Sequence, residues 1–165
     1  MFGSDSRFDK GNFNVPFWPR GDIKQQPDRQ NSANLNAYTL NRPIETEELQ
    51  KAEELLGVSF PDELVSLLKT TDGINDTFGD HLIWPAYRMI EENLDMRSTD
   101  CFKPFDCLLF IAGAGNGDLF AYSILNGSIR KNDIYVWNHI DDSRIWAASS
   151  LKPFMKGWID GTITI

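Results

Sequence analysis

Two neighbouring stretches of the chain carry apolar residues at helical spacing. In the first, PIETEELQKAEELLG, the spaced residues are Leu49, Ala52, Leu55 and Leu56. This pattern predicts a helix that Thr46 caps and Gly57 ends, because glycine adopts the left-handed conformation of a helix C-terminus at low cost. The second stretch, PDELVSLLKTTDG, predicts a helix that begins at Pro61 and stops at Gly73. Both helices are short, so each requires burial against another layer.

The remainder of the chain switches between helical and strand patterns. After an acidic polar loop, INDTFGD, residues 86–97 predict a helix whose inward side chains are Ala86, Met89, Ile90 and Leu94. A last helix is predicted from Ser149 or Ser150 to Gly161. Continuous or alternating apolar runs predict four strands, at 81–84, 106–112, 118–124 and 133–139.

Residues 1–43 differ in composition from everything that follows. They are rich in Asn, Asp, Gly, Pro, Gln and Arg, with scattered aromatic residues and no sustained period. This composition predicts a polar, extended or poorly ordered arm, whose aromatic residues either dock on the domain or contact a partner. Residues 44–165 are then predicted to form one domain of ordinary size.

Charge is distributed unevenly between these two parts. The chain has a formal net charge of −8. Residues 1–43 carry six Lys/Arg and four Asp/Glu, which leaves ten basic and twenty acidic residues in 44–165. A negative domain repels a phosphate backbone, so direct nucleic-acid binding is disfavoured, whereas a basic protein partner would be attracted. The alternative is that the acidic surface serves only solubility.

A glycine-rich stretch, GAGNGD, lies between two of the predicted strands. A dinucleotide site needs G-x-G-x-x-G followed by a helix, and a P-loop needs G-K-[ST]. Here Gly113, Gly115 and Gly117 are spaced G-x-G-x-G, a strand pattern follows, and Asp118 would repel an anion. The stretch therefore predicts a hairpin turn and not a nucleotide site.

Candidate catalytic and metal-binding residues are few. The nucleophile elbow G-x-S-x-G is absent. His139 stands beside Asp141 and Asp142 and could act as a general base, although a solvated strand end is the favoured interpretation. Cys101 and Cys107 are expected to be reduced thiols, with Cys107 buried. The ligand spacings of EF-hand and common zinc sites do not occur. We expect no enzymatic activity, no metal and no cofactor.

Tryptophans beside acidic residues are the best candidates for a partner-binding surface. Aromatic anchors rimmed by carboxylates suit an interface with a basic partner, although any of these tryptophans could instead fill the core. The candidate partner-binding residues are Asp76, Asp80, Trp84, Asp118, Trp137, Asp141, Asp142 and Trp146.

Targeting and membrane signals are not evident in the sequence. No apolar run approaches the roughly 18–20 residues that span a bilayer. The N-terminus, MFGSDSRFDKGNFN, has neither the apolar core nor the cleavage site of a secretory signal. We expect a soluble, cytoplasmic protein that does not contact membranes.

Four segments between Ile44 and Gly161 resemble the SUKH superfamily, which includes fungal cell-wall-assembly regulators and many bacterial immunity proteins. They are IETEELQKAEELLGVSFPDELVSLLKTTDG, LLFIAGAGNGDLFAY, DIYVWNHID and SSLKPFMKGWIDG, in the family's order. Gly117 and Asp118 match the family's G-D motif and are expected to shape the hairpin. The resemblance implies a single α+β domain, with helices packed against a mainly antiparallel twisted sheet.

The resemblance also implies a function. Its bacterial members bind and neutralise a secreted toxin, frequently a nuclease, and an acidic domain suits a basic nuclease. The first hypothesis is therefore an immunity protein, or antitoxin, that binds a cognate toxin. The alternative is a regulatory scaffold related to the fungal regulators, in which the arm is a docking segment. The sequence predicts no particular toxin and no oligomeric state.

Overall fold

A computed structural model describes residues 38–165, so that most of the predicted arm lies outside the described residues. The described part contains seven strands and four helices. The strands are β1 (Tyr38–Leu40), β2 (Ile74–Asp76), β3 (His81–Ile83), β4 (Leu108–Gly113), β5 (Leu119–Ser123), β6 (Ile134–Trp137) and β7 (Arg144–Ala148). The helices are α1 (Thr46–Leu56), α2 (Asp62–Leu68), α3 (Ala86–Arg97) and α4 (Leu151–Ile159).

The strands form two antiparallel sheets. The smaller sheet has the order β1-β2-β3, and the larger has the order β4-β5-β6-β7. Trp84, directly after β3, donates its backbone N–H to the carbonyl of Ile111 in β4 (2.9 Å) and so connects the two sheets. The predicted α+β class, single domain and antiparallel pairing are confirmed.

Three short strands differ from the sequence prediction. β1 lies inside the segment 1–43 that was assigned to the arm, and it pairs with β2 through Tyr38 opposite Asp76 and Leu40 opposite Ile74. β2 itself lies in the stretch predicted as an acidic loop, and β7 follows the last predicted strand. Strands of three to five residues acquire their stability from the neighbours with which they pair, so their own sequence carries a weak signal.

The end of α1 is held by its neighbours. Gly57 has φ 67°, the predicted left-handed C-terminus. The guanidinium of Arg97, in the last turn of α3, donates to the carbonyls of Leu56 (2.8 Å) and of Leu108 (3.4 Å). These two hydrogen bonds connect α1, α3 and β4. The positive charge of Arg97 is also favourable at the C-terminus of α1. At the other end the N-cap is Glu45, one residue before the predicted Thr46.

Glu63 of α2 positions the start of α4. Its Oε1 accepts hydrogen bonds from the Leu151 backbone N–H (2.9 Å) and from the Tyr122 hydroxyl (2.7 Å). Burial, reinforced by this carboxylate, raises the pKa of Tyr122, so the hydroxyl remains a donor. Ser150 is the N-cap of α4, one of the two predicted residues.

Two buried positions were predicted wrongly. On α3, Leu94 was expected to face inward, but it is 44% exposed, and the buried residue is its neighbour Asn93 (1% exposed). Cys107 was expected to be buried, but it is exposed because β4 begins only at Leu108 and leaves Cys107 in the preceding loop. Its Sγ lies 2.9 Å from an Nη1 atom of Arg144.

Candidate partner-binding surface

The glycine-rich stretch is a turn between β4 and β5, as predicted. Gly115 and Gly117 have φ values of 85° and 105°, which favour glycine. A Cβ atom at Gly117 would also lie 3.1 Å from the ring of His139. The turn therefore requires glycine at position 117 for two reasons, conformation and close packing.

Asp118 is buried beneath this turn and organises it. One carboxylate oxygen accepts hydrogen bonds from the backbone N–H (3.0 Å) and the Nδ1 atom (2.7 Å) of His139, and the other accepts from Asn116 (3.1 Å). Burial alone would raise the pKa of Asp118, but these hydrogen bonds together lower it below its usual value. Asp118 therefore shapes the turn through hydrogen bonds within the fold, as the G-D motif implied, and His139 pairs with Asp118 instead of Asp141 or Asp142.

Asp142 has a similar structural role at the turn between β6 and β7. Its carboxylate accepts hydrogen bonds from the indole N–H of Trp137 (2.7 Å) and from the backbone N–H of Lys103 (3.0 Å). Burial raises its pKa, but these donors, together with the charges of Arg144 and Lys103, lower it overall. Asp142 thereby joins the 101–107 loop to the large sheet.

Two of the three candidate tryptophans belong to the core. Trp84 is 2% exposed and Trp137 is 4% exposed. Trp137 packs edge-on against Phe102 and Phe105, with ring centroids 5.2 Å apart in both pairs. The alternative that these tryptophans fill the core is correct for both, because they follow or end strands whose side chains face the packed layers.

Trp146 and Asp141 remain on the surface of the large sheet. Trp146 lies exposed on β7, and its indole N–H donates to Asp133 (2.9 Å). Asp141 is exposed and accepts the backbone N–H of Ser143 (2.9 Å). Hydrogen bonds from the side chain and backbone of Ser143 lower the pKa of Asp141, so this carboxylate is charged at neutral pH.

The turn between β2 and β3 presents the most exposed large apolar side chain of the described residues. Phe78 is 84% exposed. The Oδ1 atom of Asp76 accepts the backbone N–H groups of Phe78 (2.8 Å) and Asp80 (2.9 Å), and the backbones of Asp76 and Asp80 are also hydrogen-bonded (2.7 Å). Sequence reasoning missed Phe78, although a lone aromatic residue between Thr77 and Gly79 in a polar turn is a usable signal.

The acidity of the domain is concentrated in its first half. Residues 44–99 carry four basic and thirteen acidic residues, whereas residues 100–165 carry six basic and seven acidic ones. The first range contains α1, α2, the β2–β3 turn and α3. Asp76 and Asp80 therefore belong to the acidic part, whereas Asp118, Asp141 and Asp142 belong to a part that is close to neutral.

The candidate residues do not converge on a metal site. Within residues 38–165, no group of three or more His, Cys, Asp or Glu side chains lies close enough to hold a metal ion. The exposed candidates can instead make charged and apolar contacts with another protein. They are Asp80, Asp141 and Trp146, with Phe78 added by the structure, whereas Asp76 is half-buried in β2.

These features define an α+β domain with two antiparallel sheets and an acidic surface. The chain belongs to the SUKH_6 family (SMI1-KNR4 cell-wall), whose family model matches residues 46–155. The resemblance drawn from the four sequence segments is thereby confirmed. A search of curated proteins gives no match. Among the helices of residues 38–165, none combines the length and apolarity needed to cross a membrane.

Proposed function

We propose that this protein is an immunity protein that binds a cognate secreted toxin in the cytoplasm and neutralises it without catalysing a reaction. Membership of the SMI1-KNR4 family supports a role in this general class. The proposed partner is a basic nuclease, and the protein itself makes no direct contact with nucleic acid or membrane.

The observation that carries this proposal is the excess of thirteen acidic over four basic residues in 44–99. A nuclease needs a positive surface to hold its phosphate substrate. A negative protein surface competes for the same groups and accelerates the encounter by long-range attraction. Because screening shortens the range of such attraction to about 8 Å at physiological ionic strength and about 3 Å at 1 M salt, association should weaken as salt rises.

The test begins with capture by the tagged full chain from lysate of the source cells, at low and at high salt. Each captured protein is then expressed from an inducible promoter in a host, with and without the chain. The proposal expects one basic protein that stops growth alone and is tolerated when the chain is present. A failure of the chain to protect against any captured protein would overturn the proposal.

A matched pair of charge variants tests the acidic surface. Asp80→Lys reverses an exposed carboxylate in the acidic part, and Asp106→Lys does the same in the nearly neutral part. We expect Asp80→Lys to slow association with the toxin more strongly than Asp106→Lys, and the difference to vanish at high salt. Equal association rates for the two variants would contradict the assigned surface.

The family's description favours a second candidate, a regulatory scaffold in cell-wall assembly. In that case the capture experiment would recover wall-synthesis or signalling proteins whose binding is indifferent to salt. None of them would be toxic in the growth assay, so the same experiment separates the two candidates.

A further inference from the structure

Two exposed aromatic side chains lie in the acidic part of the domain. Phe78 is 84% exposed at the β2–β3 turn, and Tyr87 is 60% exposed in the first turn of α3. Aromatic residues supply most of the energy at many protein interfaces, where they fill apolar pockets and the surrounding polar contacts exclude water. Two such residues, nine positions apart within the acidic range 44–99, therefore require an explanation.

Contacts of the backbone hold both aromatic residues in fixed positions. Asp76 organises the turn that carries Phe78 through the hydrogen bonds described above. The start of α3, which carries Tyr87, is fixed because the Ala86 N–H donates to the carboxylate of Asp72 (2.8 Å), two residues before β2 begins at Ile74. The two fixed points, Asp72 and Asp76, are four residues apart in sequence, so at about 3.3 Å per residue the chain holds them within about 13 Å of each other.

The segment that carries both aromatic residues, 72–87, contains three aspartates and no lysine or arginine. Asp76, Asp80 and Arg88 all act on the imidazole of His81 at the start of β3. The only base among the three, Arg88, lies over the ring of Trp84 (5.1 Å to the centroid) and pairs with Glu92 (3.3 Å). The segment that carries Phe78 and Tyr87 is therefore negative overall, and the nearby base Arg88 is already paired.

We propose that Phe78 and Tyr87 are the apolar anchors of the toxin-binding surface, and that the partner is a basic protein that receives the Phe78 ring in an apolar pocket. The proposal rests on the proposed function and specifies its interface. Charge complementarity selects this occupant: a second copy of the chain would bring the same excess of acidic residues to the contact, and like charges at an interface are unfavourable.

The experiment measures the affinity of the captured toxin for the full chain and its variants. Phe78→Ala should weaken binding at least about 30-fold, the effect of a hot-spot aromatic residue, and Phe78→Ala with Tyr87→Ala should weaken it further. Ile140→Ala is the matched control, because Ile140 is also largely exposed but lies in the nearly neutral part. The control should bind like the unmodified chain.

Thermal unfolding of each variant, followed by circular dichroism, tests for misfolding. Phe78→Ala should unfold at the same temperature as the unmodified chain, because an exposed side chain contributes little to the core. Unchanged affinity in the double variant would overturn the proposal while leaving the toxin-neutralising function intact. A change in oligomeric state on mutation, measured by light scattering, would assign the surface to a second copy and would also overturn it. If the unmodified chain neutralises no toxin, the proposed function itself fails.

Discussion

The side chain of Asn93, on α3, forms hydrogen bonds with the backbone of β4 as a neighbouring strand would. Its replacement should therefore destabilise the fold. Its side-chain amide donates to the carbonyls of Phe110 (2.8 Å) and Met89 (2.7 Å), and its Oδ1 atom accepts the N–H of Phe110 (2.8 Å). Both backbone groups of Phe110 therefore depend on one side chain. We predict that Asn93→Leu, which keeps a similar shape but removes the polar atoms, strongly destabilises the fold.

The size of the effect follows from these contacts. Phe110 and residue 93 are buried, so the N–H and C=O of Phe110 would lose their partners in a place without water, at about 1–3 kcal/mol for each group. The apolar side chain of the leucine would offset about 1–2 kcal/mol of this loss by its burial. The free energy of unfolding should therefore fall by about 1–4 kcal/mol, and the melting temperature by about 3–12 °C for a domain of this size.

Urea denaturation at pH 7, followed by circular dichroism and fluorescence, measures the change. Leu94→Asn is the matched control, because it makes the opposite exchange at the adjacent, exposed position and should cost less than about 1 kcal/mol. If Asn93→Leu were as stable as the unmodified chain, or if Leu94→Asn were the more damaging variant, the role assigned to Asn93 would be refuted.

Three further predictions concern stability. Burial, followed by the guanidinium of Arg88, lowers the pKa of His81 below its ordinary value of 6.5. The contribution of His81 to the free energy of unfolding should therefore be complete above about pH 6.5 and should be lost as the pH falls towards the lower folded-state pKa. Urea titrations at several pH values should show this loss, and the pH dependence should be smaller in His81→Gln. Gly73→Ala should cost at least about 2 kcal/mol in thermal unfolding, because its Cβ would lie 2.7 Å from a backbone nitrogen, whereas Gly57→Ala meets nothing within 4 Å and should cost less. Asp142→Ala should cost about 2–4 kcal/mol by leaving two donors unpaired, and an equal loss in Asp141→Ala would contradict this.

The ends of α1, β3 and the central strands follow from local sequence, whereas β1, β2, β7 and the end of α2, which stops at Leu68 and not at the predicted Gly73, do not. Gly57 and the glycine turn at Gly115 and Gly117 are backbone requirements that a single residue type meets, so they could be predicted. β7 could not, because Ile145 and Trp146 are consecutive, apolar and both exposed, so the strand lacks a simple alternation. The register between β6 and β7 also shifts between Ile134 and Tyr135. Such a shift interrupts the alternation of side chains between the two faces of the sheet.

The candidate site illustrates why an aspartate's role depends on what lies within hydrogen-bonding distance. Asp118 and Asp142 sit in turns where backbone and ring N–H groups converge on their carboxylates, so these charges are used inside the fold. Asp80 lies in a turn that the carboxylate of Asp76 organises, and its own side chain is exposed. In sequence all four are simply acidic residues in polar segments that follow or precede strands. A variant that reverses Asp76 and Asp142 as well as Asp80 would mix lost structure with lost attraction, and only the Asp80 exchange isolates the charge that a partner would meet.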